Sequence, residues 1–163
     1  MIPHVFPMSR RGFSLSVVAA GTAALIGGRA VAAPDAPLRL SDAEWRKRLS
    51  PPAYAVLRQG STERPYSSAL LKEHRKGRFL CGGCDLALFS STTKFESGTG
   101  WPSFWNHFPG AVKVVADRSM GMVRKEVRCM RCDGHLGHVF DDGPPPTGLR
   151  YCMNGAALTF RPA

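Results

Sequence analysis

A small, mainly β domain with short helices at its N-terminal edge is the fold class this sequence predicts. Three observations predict it. From residue 78 onward, short β-prone segments are separated by clusters of Gly, Pro, Asp and Ser, the texture of antiparallel strands. Two CxxC units, Cys81-Gly82-Gly83-Cys84 and Cys129-Met130-Arg131-Cys132, bracket 44 residues of that region. Helix signals fall before it. At 163 residues the chain reads as one domain, long enough to bury a core without disulfides.

Residues 1–33 read as an export signal rather than as fold. Arg10 and Arg11 follow Ser9, with Phe13 two residues on, and a mildly apolar run of about 12 residues extends from Leu15 to Ile26. Ala30-Val31-Ala32 then supplies a small-residue cleavage site. Paired arginines point to the twin-arginine route, hence to the bacterial periplasm. A basic amphipathic helix or a membrane anchor is the alternative. The run is shorter than the roughly 20 residues of a membrane span, and no cysteine follows it to carry a lipid. No stable membrane insertion is expected after cleavage. Residues 34–40 read as a Pro/Ala linker and 41–163 as the folded domain.

The formal charge is +10, and cleavage after Ala32 removes three arginines and no acid, leaving 19 basic against 12 acidic residues, or +7. The remaining positive charge is interleaved with acids, as in "EWRKRL" and "KEHRKGR". That is a solvated surface, and no nucleic-acid partner is expected.

Within the domain, Ser41 with Glu44 three residues later is a capping box, predicting a helix over about 42–49. "SPPAYAVLRQG" predicts a second helix stopping at Gly60, and "SSALLKEHRKG" a third helical turn ending at Gly77. Strands are expected in "RFLC", "AVKVVAD", "GMVRKEVRC", "HLGHVF", "LRYCMN" and "AALTF". No repeat is visible beyond the two CxxC units.

Each CxxC presents two sulfurs to one ion, and four thiolates make a closed, structural tetrahedral site. Cys81, Cys84, Cys129 and Cys132 are therefore expected to bind one Zn2+. Iron takes the same ligands, and spacing does not separate the two. Two disulfides or a redox CxxC are the competing readings. A set of Cys129, Cys132, His135 and His138 is disfavoured, because only two residues separate Cys132 from His135. The histidines are then free for chemistry.

That assignment leaves Cys152 alone, an odd cysteine in an expectedly exported chain. If "LRYCMN" is a strand, Arg150, Cys152 and Asn154 share one face, and Leu149, Tyr151 and Met153 the other. A cationic arginine beside a cysteine favours the thiolate. A lone cysteine is otherwise a small buried hydrophobe, but polar neighbours on its own face argue against that here. His135 and His138 bring groups that move protons near neutrality. In "SGTGWPSFW", Trp101, Phe104 and Trp105 are either core or the wall of an apolar pocket.

These stretches — "GSTERPYS", "CGGCDLALFSSTTKFESGTGWPSF" and "VRCMRCDGHLGHVFDDGPPPTGLRYCMN" — closely resemble the methionine-R-sulfoxide reductase B (MsrB) family, from about Ser41 to Phe160. The resemblance implies two antiparallel sheets in a tent-like, Mss4-like arrangement, with zinc distant from the active site, and makes 41–163 a catalytic domain. It implies that Cys152 is the catalytic cysteine and that His135, His138 and Asn154 hold water and the sulfoxide oxygen. Arg150 and Asp142 would support the site, and Trp101 and Phe140 would wall the methyl pocket. The implied substrates are oxidised proteins or peptides carrying methionine-R-sulfoxide, with the free sulfoxide as an open alternative. Many members carry a resolving cysteine where this chain has Thr99. With four cysteines on the metal, none is left to resolve an oxidised Cys152, so an external thioredoxin-like reductant is expected. A non-catalytic zinc module with an aromatic ligand pocket is the competing function.

Overall fold

Ser41 and Glu44 close on each other at the start of α1 (Asp42–Arg48). The Glu44 carboxylate accepts from the Ser41 backbone N–H at 2.8 Å, and Ser41 Oγ accepts from the Glu44 N–H at 3.4 Å. Ser50 caps α2 (Pro51–Gln59), which ends at Gly60 in the left-handed region (φ 71°). Helices this short do not stand alone. They are held by the burial of Trp45, Tyr54, Val56 and Leu57.

The computed structural model describes Met1 and residues 36–163. The expected export signal, its cleavage site and the first linker residues lie outside the described residues. The end of the expected linker is docked rather than free. The Leu38 N–H donates to the Arg131 carbonyl at 2.8 Å, and Leu38 and Leu40 pack against the core.

The described residues hold nine strands: β1 (Gly77–Cys81), β2 (Ala87–Ser90), β3 (Lys94–Phe95), β4 (Ser103–Phe104), β5 (Val112–Asp117), β6 (Arg124–Cys129), β7 (His135–Phe140), β8 (Arg150–Met153) and β9 (Leu158–Pro162). They form two antiparallel sheets, a three-stranded one ordered β2-β1-β9 and a six-stranded one ordered β3-β4-β8-β7-β6-β5. The expected fold class, mainly β with two antiparallel sheets and short N-terminal helices, is the one observed.

Aromatic rings join the sheets. Phe104 of β4 stacks on Phe89 of β2 at 4.4 Å and meets Phe79 of β1 edge-on at 4.9 Å. All three are fully buried. Such rings supply both the large apolar area and the preferred geometry of a core.

Two expectations need correction. The third helical segment is a single 3-10 turn over Ala69–Lys72. Gly77 does not end a helix but opens β1, where a Cβ would lie 2.3 Å from the Arg161 carbonyl oxygen of β9. β2, β3 and β4 were not foreseen. They have four, two and two residues, too few for alternation to be visible, and they exist through pairing with distant strands.

Candidate active site and metal centre

Cys81 and Cys129 are the last residues of β1 and β6, and each begins the same tight turn. The Asp85 N–H donates to Cys81 O at 2.9 Å and the Asp133 N–H to Cys129 O at 3.0 Å. Both aspartates are left-handed, at φ 62° and 60°, a conformation Asp tolerates better than most residues. The two turns meet and bring four buried sulfurs within 4.8 Å of one another. Cys81 Sγ lies 3.6 Å from Cys132 Sγ, and Cys84 Sγ 3.5 Å from Cys129 Sγ. No disulfide forms among them.

A tetrahedral ion with metal–sulfur bonds of about 2.3 Å separates its sulfurs by about 3.8 Å, so this donor set fits one metal ion. Within the cluster, sharing with Cys129 and then with Cys132, ahead of burial, pushes the Cys81 and Cys84 thiols up, while donation from Cys129 draws Cys132 down. Thiols so crowded favour a cation that replaces their protons.

The N-terminal helices cover this cluster. Arg48 Nε donates to Gly83 O at 2.7 Å and Arg58 to Cys132 O at 2.9 Å. A Cβ on Gly134 would lie 2.8 Å from Leu57 Cδ2. Neither His135 nor His138 belongs to the cluster.

The histidines lie on the face of the large sheet that carries the polar groups. Simple alternation would put residues 135 and 138 on opposite faces. A β-bulge decides otherwise. Val127 pairs with Gly137 and Arg128 with His135, so Leu136 is the extra residue. His138 pairs with Glu126 on one side and with Cys152 on the other. The face thus carries Asp117, Arg124, Glu126, His135, His138 and Cys152. Tyr151 and Met153 point into the core, as alternation in "LRYCMN" predicts. Gly137 permits the close strand approach, since a Cβ there would lie 2.1 Å from the Cys152 carbonyl oxygen.

Half-buried Cys152 opens into a cavity of about 160 Å³ walled by Trp101 and Phe140, with Arg124, His138 and Asn154 around it. The Trp101 Nε1–H is spent on the Glu63 carbonyl at 3.1 Å. Of the aromatic cluster, Trp101 therefore belongs to the pocket and Phe104 to the core. Arg150 grips Asp142 bidentately, with both contacts at 2.8 Å, and lies 4.4 Å over the Phe140 ring. Asp142 is held below its ordinary range by that guanidinium. Arg150 is held up first by Asp142, against burial, and also by Cys152.

His138 Nε2 donates to Asp117 Oδ2 at 2.9 Å, and Arg124 donates to the same oxygen at 2.7 Å. The Asp117 carboxyl is held well below the usual range by the Ser119 N–H and then by His138. His135 is different. Its Nδ1–H donates to Glu126 at 2.6 Å, yet burial pushes its imidazole down toward the neutral form. Burial pushes Glu126 up, but Arg128 and His135 outweigh it. Asn154 is largely committed to backbone. Oδ1 accepts from the Glu63 N–H at 3.0 Å and Nδ2 donates to Leu136 O at 3.1 Å.

The predicted residues Cys152, His138, Asn154, Trp101 and Phe140 thus meet in one pocket. Arg150 and Asp142 stand beside it, and His135 lies behind His138, ring centroids 5.4 Å apart. Sequence reading missed Thr62 and Arg124, which line the pocket, and Asp117, which orients His138. It also missed Glu63. That carboxylate accepts from the Gly155 and Ala156 N–H groups just beyond β8, so one residue holds both Trp101 and the turn that follows Cys152's strand. Glu63 lies in "GSTERPYS", but nothing local there signals contacts 92 and 93 residues away.

Residues 49–162 match the SelR domain. The chain is 55% identical over 130 residues to the peptide methionine sulfoxide reductase MsrB of Thioalkalivibrio sulfidiphilus, covering 79% of this chain and 95% of that protein. It is 53% identical over 123 residues to the protein of the same name from Agrobacterium fabrum, covering 75% and 91%. It is 52% identical over 123 residues to that of Thiobacillus denitrificans, covering 75% and 93%.

Proposed function

Because this chain belongs to the MsrB family, with its SelR domain, and is a methionine sulfoxide reductase, we propose that Cys152 reduces the R epimer of peptide-bound methionine sulfoxide. One observation carries the proposal. Cys152 is half-buried directly opposite His138, in a pocket whose walls are the rings of Trp101 and Phe140.

The chemistry follows from these groups. A sulfoxide sulfur is a weak electrophile until its oxygen is protonated. The Cys152 thiolate attacks that sulfur while His138, directly or through water, delivers a proton to the oxygen. Asp117 fixes the imidazole's orientation. The attack forms an S–S bond; transfer of the hydroxyl from the substrate sulfur to the Cys152 sulfur then breaks it, leaving Cys152 as a sulfenic acid while methionine leaves. The two rings hold the methyl group, which selects one hand at sulfur.

Two external thiols then return Cys152 to the thiol, releasing water and one disulfide. Thr99 stands beside Cys152 with no thiol of its own, and the other four cysteines form the separate cluster. This supports a thioredoxin-like reductant acting directly. The metal, read as zinc, is structural. The paired arginines and A-x-A site of residues 1–33 support twin-arginine export to the periplasm, where the substrates are damaged exported proteins.

The test compares wild type with Cys152→Ser on both epimers of dabsylated methionine sulfoxide, with dithiothreitol as reductant. Wild type should reduce the R epimer only, and Cys152→Ser neither. Equal activity in the two proteins sinks the proposal. After one equivalent of substrate without reductant, peptide mapping should find no disulfide to Cys152; finding one overturns direct recycling.

A further inference from the structure

Three hydroxyls run in single file to the reactive sulfur. Ser103 Oγ lies 2.7 Å from Ser97 Oγ, Ser97 Oγ lies 2.8 Å from Thr99 Oγ1, and Thr99 Oγ1 lies 3.7 Å from Cys152 Sγ. At the far end Ser103 Oγ reaches the Trp101 carbonyl oxygen at 3.2 Å. Ser103 pairs with Cys152 across β4 and β8.

The loop that carries Thr99 is clamped on both sides. Tyr66 Oη donates to Gly98 O and Tyr66 N–H to Gly100 O, each at 2.7 Å. Tyr66 itself takes a left-handed conformation, φ 61°, to do so. A bulky residue accepts that conformation only when its surroundings require it. The hydroxyl of Thr99 is therefore held in place rather than left to wander.

We propose that Thr99 is a further catalytic residue, donating a hydrogen bond to the Cys152 thiolate, with Ser97 and Ser103 as positioning residues that set the direction of its O–H. Each hydroxyl has one hydrogen, so the file has two senses. With Cys152 as a thiol, its S–H donates to Thr99, Thr99 to Ser97, Ser97 to Ser103, and Ser103 to the Trp101 carbonyl. With Cys152 as a thiolate, all three hydroxyls turn. Ser103 then donates to Ser97, Ser97 to Thr99, and Thr99 to the sulfur. Each donation polarises the next.

The file ends on a carbonyl and holds one hydrogen per oxygen, so it is a donor to the sulfur and not a path for its proton. The thiol proton leaves through the pocket. The charged and titratable groups facing the thiol are His138 on β7, Arg124 on β6 and Arg150 on β8, backed by Asp117 and Asp142. Substitutions at Thr99 leave all of them in place.

The inference rests on Cys152 being the nucleophile, but its readout is thiol ionisation rather than turnover. Either can fail without the other. In the full, metal-loaded chain, the rate of Cys152 alkylation by iodoacetamide is followed against pH by peptide mapping. Thr99→Val and Thr99→Ala both remove the hydroxyl, while Thr99→Ser keeps it. Removing one hydrogen bond to a charged sulfur should raise the alkylation midpoint by about one pH unit, a roughly tenfold loss of thiolate at neutral pH. Thr99→Ser should match wild type, and Ser97→Ala should shift part of the way in the same direction. Metal content and circular dichroism identify any variant that fails to fold, and the other hydroxyl-free variant then decides. Profiles of Thr99→Val or Thr99→Ala that superimpose on wild type overturn the proposal. So does a Thr99→Ser profile shifted as far as theirs. An unshifted Ser97→Ala overturns the role of the file behind Thr99.

Discussion

Asp117 Oδ2 sits 2.9 Å from His138 Nε2 at the end of a hairpin that no motif in the sequence marks. The carboxylate accepts, so Nε2 carries the hydrogen, and the ring is fixed opposite Cys152. Arg124 and the Ser119 N–H hold the carboxylate in turn. Asp117→Asn keeps the shape but lets the amide present either a donor or an acceptor to the ring. A proton-delivering group is worth about 10²-fold or more in rate. The variant should lose on the order of 10²-fold in kcat with little change in KM, measured on a methionine-R-sulfoxide peptide. An unchanged kcat removes His138 from proton delivery or Asp117 from orienting it.

His135 makes stability depend on pH in a definite sense. Burial holds its folded pKa below the ordinary value of about 6.5. Above that value both folded and unfolded states are neutral, and stability is undiminished. As pH falls through it, the unfolded chain takes a proton that the buried ring refuses. Stability then drops by up to about 1.4 kcal/mol per pH unit, until the folded pKa is reached. Urea denaturation from pH 7.5 to 5.5 should show this slope in wild type and a flatter one in His135→Asn. Parallel slopes would remove His135 as the cause.

The four-sulfur cluster predicts a metal whose loss unfolds the domain's edge. Arg48, Arg58, Trp45 and Leu57 all pack where the two turns meet. Elemental analysis should find one ion per chain, with zinc as the proposed metal. Chelation under reducing conditions should lower Tm by about 10 °C or more, since structural sites contribute folding energy outright. Cys81→Ser should do the same. Full stability without metal would show that apolar packing alone holds the turns together.

Some of this molecule was legible in short stretches because the physics there is local. Ser41 with Glu44, Ser50 with Pro51, and Gly60 set the two helices through contacts within one turn. The CxxC spacing placed both pairs of sulfurs, and alternation in "LRYCMN" separated Cys152 from Tyr151 and Met153. The family resemblance, carried on those same stretches, brought Trp101, Phe140, Arg150 and Asp142 to the site.

Tertiary structure decided the rest. That His135 and His138 share a face depends on a bulge at Leu136, which exists only because β6 pairs with β7 in that register. Asp117 reaches His138 only once β5, β6 and β7 lie side by side, and Glu63 serves the pocket across 92 residues of chain. β3 and β4 have no pattern of their own, yet β4 carries Ser103 into register with Cys152. Sequence by itself determined which groups are available for sulfur chemistry and for metal binding. Strand pairing, which joins residues far apart in the chain, determined which of those groups meet and in what order their hydrogen bonds run.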